Sequence, residues 1–253
     1  MQFNQMPAAT GIEWFRQGIK NFKQQPAAML SLFILYFLSI AILSSIPQLG
    51  PFLVAIAGPF LNNIFFLAGR EIHFKRKIRM SNLFISIKEY DGNTKKRLIL
   101  LGIFYLVLTI FIAAIASTLG LKPLSGSAVN MQELSISQQQ EQIIGMLTLA
   151  GLYIPITLLM WFAPVLIAWH QTMVRQAMFY SLITVWKNLG AFITYFACWV
   201  GVAILAALIA TLIMQMGINP RIVLLIFMMF AITFSAAFYT SFYLTYQSCF
   251  IKL

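Results

Sequence analysis

Two neighbouring amides in an apolar stretch are the first residues of this chain that could bind a ligand. Asn62 and Asn63 follow Pro59 within a run of apolar residues. An amide without a hydrogen-bond partner in hydrocarbon costs several kcal/mol, so both must face a neighbouring helix or a carbonyl left free by Pro59. Lining a small polar cavity is the functional interpretation, and holding helices together is the structural one.

Three tyrosines form a second candidate site. Tyr239, Tyr243 and Tyr246 recur at the i, i+4 and i+7 positions of one helical face, at the end of another apolar stretch. This stripe would suit a groove for a lipid headgroup or another amphiphile. The alternative is an aromatic belt at the membrane interface, where tyrosine is commonly found.

Signatures of catalysis and of metal binding are missing from the sequence. There is no G-x-S-x-G, H-E-x-x-H or P-loop motif and no pair of carboxylates. His73 and His170 have no fixed spacing to a cysteine or a carboxylate, and Cys198 and Cys249 form no metal-ligand spacing. We therefore expect no cofactor, no metal site and no enzymatic activity, with an intramembrane enzyme as a third and weaker hypothesis.

The composition indicates a membrane protein. Hydrophobic residues make up 60% of it and charged residues only 9%, with a formal net charge of +11. Soluble domains carry about 25% charged residues. Because the cations lie beside apolar stretches, the expected partners are anionic membrane lipids, and we expect no binding of nucleic acid.

Hydropathy divides the chain into six apolar segments, each long enough to cross a hydrocarbon core of about 30 Å. The predicted spans are Ala27–Ile46, Leu49–Gly69, Leu98–Ser117, Ile143–Trp169, Ala191–Met214 and Ile222–Tyr246. None contains Asp, Glu, Lys or Arg, which argues against proton-coupled transport and voltage sensing. The sequence thus predicts an all-α, polytopic helical bundle forming a single integral membrane domain over residues 1–253.

The distribution of cations predicts how this bundle is oriented. Of 17 Lys and Arg residues, all but Lys122 and Arg221 fall in segments on one side of the predicted membrane. The positive-inside rule makes that side cytoplasmic, so both termini are expected to lie in the cytoplasm. The opposite side carries a polar loop from Thr118 to Gln142, which we interpret as a solvated connector, with a binding loop as the alternative.

Three segments on the basic side are predicted to form interfacial amphipathic helices, each leading into an odd-numbered span. Their apolar faces are Ile12, Phe15, Ile19 and Phe22; Met80, Leu83, Phe84, Ile87 and Tyr90; and Met178, Leu182, Val185, Trp186 and Leu189. Such helices should lie in the headgroup plane with their cations on the anionic surface. The cations expected at this surface are Lys20, Lys75, Arg76, Lys77, Lys88 and Lys187.

The chain can be read as three units of one short helix followed by a transmembrane hairpin. The units cover residues 10–69, 80–169 and 175–246. True triplication is one explanation of the pattern. Short interfacial helices without common ancestry are the other.

Several short runs together resemble an uncharacterised family of proteobacterial six-span inner-membrane proteins. The runs are Trp14-Phe15 with Phe22 and Pro26; Ile46-Pro47-Gln48-Leu49-Gly50-Pro51; Gly58-Pro59; Leu83-Phe84; Leu101-Gly102-Ile103-Phe104-Tyr105; and Trp161-Phe162-Ala163-Pro164. The arrangement is also distantly similar to the membrane portion of some glycerophosphodiester phosphodiesterases, but the chain has no soluble phosphodiesterase domain. The resemblance implies an inner-membrane location and supplies no catalytic residues.

Two functions from different classes fit these observations. The first is a non-enzymatic inner-membrane protein that interacts with lipid or accompanies another membrane component. The second is a permease or exporter for a lipid-like or small apolar molecule, with a groove near the two amides and the tyrosine stripe. A cavity reaching the midplane would favour the permease, and a dry, close-packed bundle would favour the accessory protein.

The predicted topology can be tested with reporter fusions. Fusions at Lys77 and Gln139 should report opposite compartments, Lys77 the cytoplasm and Gln139 the periplasm. One predicted span, Leu98–Ser117, separates the two residues along the chain. Enzymatic reporters active on only one side of the membrane would measure this. Finding both residues in one compartment would contradict the six-span arrangement.

Overall fold

The computed structural model describes residues 3–119 and 136–250, without the side chains of residues 136–139 and 141–142. Most of the predicted polar loop lies outside the described residues, as do the cations Lys122 and Lys252. Within the described ranges the regular secondary structure is helical, so the predicted all-α fold class is confirmed.

Six helical segments are long and apolar enough to cross a membrane, in the order predicted. Four spans lie in single helices: α2 (Pro26–Ser44), α3 (Gly50–His73), α5 (Gly92–Thr118) and α9 (Leu189–Gln215). The fourth span consists of α6 (Ile136–Met160) and α7 (Ala163–His170), and the sixth of α10 (Pro220–Thr240) and α11 (Phe242–Phe250). The predicted positions are correct, but the fourth and sixth spans are interrupted.

Short helices form at all three positions predicted for them. They are α1 (Thr10–Gln24), α4 (Met80–Lys88) and α8 (Val174–Lys187), and each leads into an odd-numbered span. Asp91 caps the start of α5, accepting hydrogen bonds from the N–H groups of Asn93 (3.1 Å) and Thr94 (3.3 Å). This cap fixes the corner between α4 and α5.

The first short helix presents a different side to each of three environments. Gly11, Trp14 and Gly18 are buried against the protein. The apolar stripe that includes Ile12, which is 39% exposed, lies roughly a quarter turn away from this flank. The exposed Lys20 lies on the remaining, polar face. This arrangement fits a helix that lies at an interface beside its own bundle.

Hydrogen bonds gather the segments that were predicted to share one side of the membrane. They run from Asn4 N to Cys249 O (3.0 Å), from Met6 N to Asn188 Oδ1 (2.6 Å), from Gln25 Nε2 to Arg76 O (2.6 Å) and from Arg97 Nη1 to the Gln171 carbonyl. We call this end of the bundle, with α1, α4, α8 and the segments that these bonds join, the basic end. Of the fifteen Lys and Arg residues in the described ranges, it holds all but Arg221.

The third helix is the centre of the bundle. It packs against α2, α4, α5, α7, α10 and α11, and 50% of its most apolar stretch is buried inside the protein. For α9, which lies at the edge against α1, α8 and α10, the value is 6%. Few side chains in the apolar part of α9 are therefore fully buried, as expected for a helix in contact with lipid.

Glycines allow the short helix α1 and the central helix α3 to approach their neighbours closely. A Cβ on Gly11 would collide with the Ala191 carbonyl and would lie 2.6 Å from the Tyr195 nitrogen. A Cβ on Gly18 would lie 2.5 Å from the Ser241 Cβ. On the other side of that segment, a Cβ on Gly69 of α3 would lie 2.7 Å from the Tyr243 Cβ. The turn between α10 and α11 is thus closely packed between α1 and α3.

Replacing Gly11 should test the close approach of α1 to α9. Gly11→Ala should lower stability by about 1–3 kcal/mol because the added methyl group meets fixed backbone atoms of α9. Gly201→Ala in α9 is the matched control, since a Cβ there meets nothing within 4 Å and alanine favours a helix over glycine by about 1 kcal/mol. Thermal unfolding in detergent would measure both variants. Equal melting temperatures would contradict the close approach.

Candidate functional site

The interruption of the fourth span is bridged by a serine from another helix. Between α6 and α7, the Phe162 N–H donates to Ser181 Oγ (2.9 Å), and Ser181 Oγ–H donates to Leu158 O (2.7 Å). In an unbroken α-helix Phe162 N–H would bond Leu158 O directly. Because Pro164 has no N–H group to continue the ladder, the helix opens here and the hydroxyl of α8 is inserted.

Hydroxyl groups also form hydrogen bonds at the interruption of the sixth span. Ser241 lies between α10 and α11, is fully buried, and donates from Oγ to the Phe238 carbonyl (2.6 Å). The Tyr195 hydroxyl of α9 lies 2.5 Å from the same Oγ. Both broken spans therefore have their backbone satisfied by side chains, as hydrocarbon requires.

The two interruptions lie next to each other. The indole Nε1 of Trp161, at the first break, donates to Thr245 Oγ1 in α11 (3.3 Å). The centroids of the Trp161 and Phe242 rings are 4.8 Å apart. Adjacent broken helices frame the binding sites of many transporters, but aromatic rings fill the space between these two.

The predicted amide site lies beside the first interruption. Asn63 is fully buried, and its Nδ2 donates to Pro59 O (3.1 Å) and to Pro164 O (3.2 Å). It thereby joins α3 to the first turn of α7. Its Oδ1 has no hydrogen-bond partner among the described residues. Asn62 is half-buried on a different side of α3.

The three tyrosines of the predicted stripe do not share one continuous helical face, because the break at Ser241 separates the first from the other two. Tyr239 stacks on Phe65 with ring centroids 4.2 Å apart. Tyr243 and Tyr246 are buried near Trp169, with ring centroids 6.1 and 5.0 Å from it.

Two cavities of the protein are lined by residues other than these five. A groove of about 250 Å³ between α9 and α10 has an entirely apolar lining that includes Ala206, Ala210 and Phe230. A much smaller space between α2 and α3 borders Tyr36 and Phe84. The candidate amides and tyrosines therefore lie outside both spaces.

The two histidines each contact the last helix at the basic end. His170 Nε2 lies 2.6 Å from the Tyr246 hydroxyl, and His73 Nε2 lies 3.1 Å from Gln247 Nε2. Over the ranges that the structure describes, no three His, Cys, Asp or Glu side chains come together in a way that could hold a metal ion.

The cations predicted for the membrane surface are exposed at the basic end. They are Lys20, Lys75, Arg76, Lys77, Lys88 and Lys187. Among the described residues the ion pairs involve one carboxylate, that of Glu71, which lies 3.7 Å from Arg70 Nη2 and 3.8 Å from Arg76 Nη1. Most of the positive charge at this end therefore has no acidic partner among the residues that the structure describes.

This chain is similar in sequence to a bacterial membrane protein. A probable inner membrane protein of Burkholderia thailandensis is 32% identical over 210 residues, which are 81% of this chain and 77% of the relative. The chain belongs to the same family of inner membrane proteins. No protein-family model matches it, and no solved structure is similar to it.

Membership in this family confirms a multi-pass inner-membrane protein, as the apolar spans predicted. These comparisons give no support to the distant likeness to the membrane portion of glycerophosphodiester phosphodiesterases.

Two residues of this inner-membrane protein that bridge the broken spans, Ser181 and Tyr195, were not predicted. Ser181 belongs to a buried flank of α8 with Ala177 and Thr184. These residues recur at i, i+4 and i+7, a helical spacing visible in the sequence. The apolar stripe that begins at Met178 is the stronger pattern in the sequence of that helix. For this reason the stripe was predicted and the buried flank was not.

Replacing Ser181 should test its role at the break. Ser181→Ala should lower stability by about 1–3 kcal/mol, because Phe162 N–H and Leu158 O lose a partner in a buried site. Ser39→Ala is the control, since the hydrogen bond of Ser39 is exposed and stays within its own helix, to Leu35 O (2.8 Å). Thermal unfolding would compare them. Unchanged stability of Ser181→Ala would mean that the span closes without the hydroxyl.

Proposed function

We propose that this inner-membrane protein is not an enzyme and that it binds anionic lipids with its basic end. In this proposal the basic end and both termini face the cytoplasm. The observation that carries the proposal is the cluster of fourteen Lys and Arg residues there, against four acidic residues, within the described ranges. The cytoplasmic leaflet is negatively charged and attracts each nearby cation by about 1 kcal/mol.

The short helices support lipid binding at this end because apolar and cationic side chains alternate on their open surfaces. On α8, Phe179 is 56% and Trp186 is 67% exposed, next to the exposed Lys187. An aromatic ring in the acyl boundary beside a lysine in the headgroup layer is the usual design of an interfacial helix. Burial of these rings in lipid would add to the attraction of the cations.

A role as an accessory component of a membrane complex is compatible with lipid binding. The edge helix α9 carries Ala206 and Ala210 in the apolar groove beside α10. Small residues spaced by four allow another transmembrane helix to approach closely. The groove gives a partner subunit a place to pack without disturbing the basic end.

A permease or exporter for a lipid-like or small apolar molecule is the second candidate function. The adjacent breaks in the fourth and sixth spans favour it, since transporters use such breaks around a midplane site. The dense packing of Trp161, Phe242 and Tyr246 between these spans weighs against it. We therefore place lipid binding first.

Neutralising the short-helix lysines tests the proposal. The triple variant Lys20→Gln, Lys88→Gln, Lys187→Gln should lose preference for phosphatidylglycerol over phosphatidylcholine, by about fivefold for each lysine in contact with a headgroup. Native mass spectrometry of protein released from nanodiscs of the two lipids would measure the retained ratio. Arg221→Gln, at the opposite end, is the matched control. A wild type without this preference, or an equal loss in Arg221→Gln, would contradict the proposal.

A further inference from the structure

The loop that joins α3 to α4, residues 74–79, concentrates positive charge on a short stretch of backbone. Its cations are Lys75, Arg76, Lys77 and Arg79, and all four residues are exposed. The backbone from the first of them to the last spans at most about 14 Å, so each cation lies within about one Debye length of the next. Like charges this close repel each other, and an external anion would relieve that repulsion.

The protein supplies little negative charge to this loop. Among the residues that the structure describes, the carboxylate paired with a loop cation is that of Glu71, which lies 3.8 Å from Arg76 Nη1. In the same ranges Lys75, Lys77 and Arg79 form no ion pair. The loop therefore presents three exposed cations that have no acidic partner in the described part of the chain.

Hydrogen bonds at the end of α3 fix the start of the loop. The Lys75 N–H donates to Ile72 O and the Arg76 N–H donates to Glu71 O, both at 2.8 Å. This is the Schellman arrangement, in which the residue after the helix is left-handed and is usually glycine. Here that residue is Lys75, with φ 56°, a conformation that few residues with a side chain adopt. The turn thus fixes a cation where a glycine is expected.

A glutamine from the junction of α1 and α2 fixes the middle of the loop. Gln25 Nε2 donates to Arg76 O (2.6 Å), and the Ile78 N–H donates to Gln25 Oε1 (2.8 Å). One side-chain amide therefore binds the backbone on both sides of Lys77. Because Gln25 belongs to a different part of the chain, these bonds hold the loop against the first short helix and preorganise its cations.

An exposed aromatic ring lies beside the cations. Phe74 follows His73, the last residue of the second span, and is 53% exposed. The Arg76 guanidinium carbon lies 5.6 Å from the centroid of the Phe74 ring. An apolar ring next to cations at the end of a span suits the boundary between headgroups and acyl chains. A soluble anion would leave this ring in water, so the combination favours a lipid.

We propose that the 74–79 loop binds cardiolipin, an anionic lipid that carries two phosphate groups. Basic sites on the cytoplasmic side of transmembrane helices recognise such headgroups. The cations of Lys75, Lys77 and Arg79 exceed the charge that one phosphate neutralises and suit two, while Phe74 would contact the acyl chains. The inference rests on the proposed function, because it requires the basic end to face anionic lipid, and it assigns a defined site and lipid class within that function.

Removing charge from the loop tests the site. The double variant Lys75→Gln, Lys77→Gln should lower the ratio of cardiolipin to phosphatidylglycerol retained from mixed nanodiscs by about fivefold or more, as measured by native mass spectrometry. The matched control Lys23→Gln, Lys96→Gln removes two exposed lysines from other helices at the basic end. It should change the ratio by less than about twofold, because neither lysine belongs to the loop.

Releasing the loop without changing its charge tests whether it must be held in place. Gln25→Ala keeps every cation but removes both side-chain hydrogen bonds to the loop backbone. The ratio should fall by about twofold or more because the cations lose their preorganisation. An unchanged ratio in the folded variant would overturn a fixed loop as the site. If thermal unfolding shows that Gln25→Ala does not fold, the double variant, whose substituted residues are exposed, decides.

The outcomes separate this site from the wider proposal. If the wild type prefers phosphatidylglycerol to phosphatidylcholine but retains cardiolipin no better than phosphatidylglycerol, the loop site is overturned and lipid binding by the basic end stands. An equal loss in the control double variant has the same meaning. A wild type without preference for either anionic lipid overturns both. In phosphatidylcholine nanodiscs, binding of inorganic pyrophosphate that depends on Lys75 and Lys77 would identify a soluble ligand and overturn a lipid as the occupant.

Discussion

Backbone carbonyl and N–H groups inside hydrocarbon have no water to bind, and the packing of this bundle follows from that constraint. Two of the six spans are interrupted. At the first break Ser181 from another helix bonds the exposed backbone groups, and at the second Ser241 of the same span donates to the Phe238 carbonyl. Ser181 from α8 and Tyr195 from α9 reach the two breaks. The short helix α8, which its sequence predicts to lie at the membrane surface, therefore also stabilises the fourth transmembrane span.

The spans could be predicted because length and hydropathy act locally, whereas the interruptions depend on contacts between distant residues. Pro155 lies inside the continuous helix α6, while the helix opens next to Pro164. The two prolines look alike in the sequence. What differs is the hydroxyl of Ser181, which enters the break from another helix. Similarly, the apolar stripe of α1 was visible, but its buried flank contains Gly11 and Gly18, whose lack of a side chain gives no hydropathy signal.

The candidate site was predicted only in part for the same reason. The need of Asn63 for a polar partner follows from its place in hydrocarbon, but the identity of that partner, the Pro164 carbonyl, requires knowledge of how α3 and α7 pack. The predicted tyrosine stripe assumes an unbroken helix. The turn at Ser241 directs Tyr239 toward Phe65 and places Tyr246 beside His170.

Among the described residues, most buried side-chain polar atoms without a hydrogen-bond partner lie at the basic end. Among the described residues, the buried side-chain atoms without a partner belong to Asn21, Asn63, Tyr90, Thr172, Thr184 and Trp199. Four of these residues lie at the basic end, in or next to the short helices and the segment after α7. The midplane region instead pairs most of its hydroxyls and amides internally and fills the remaining space with rings. A transporter that uses broken spans needs room for a substrate between them, whereas the Trp161 and Phe242 rings pack together between these two breaks.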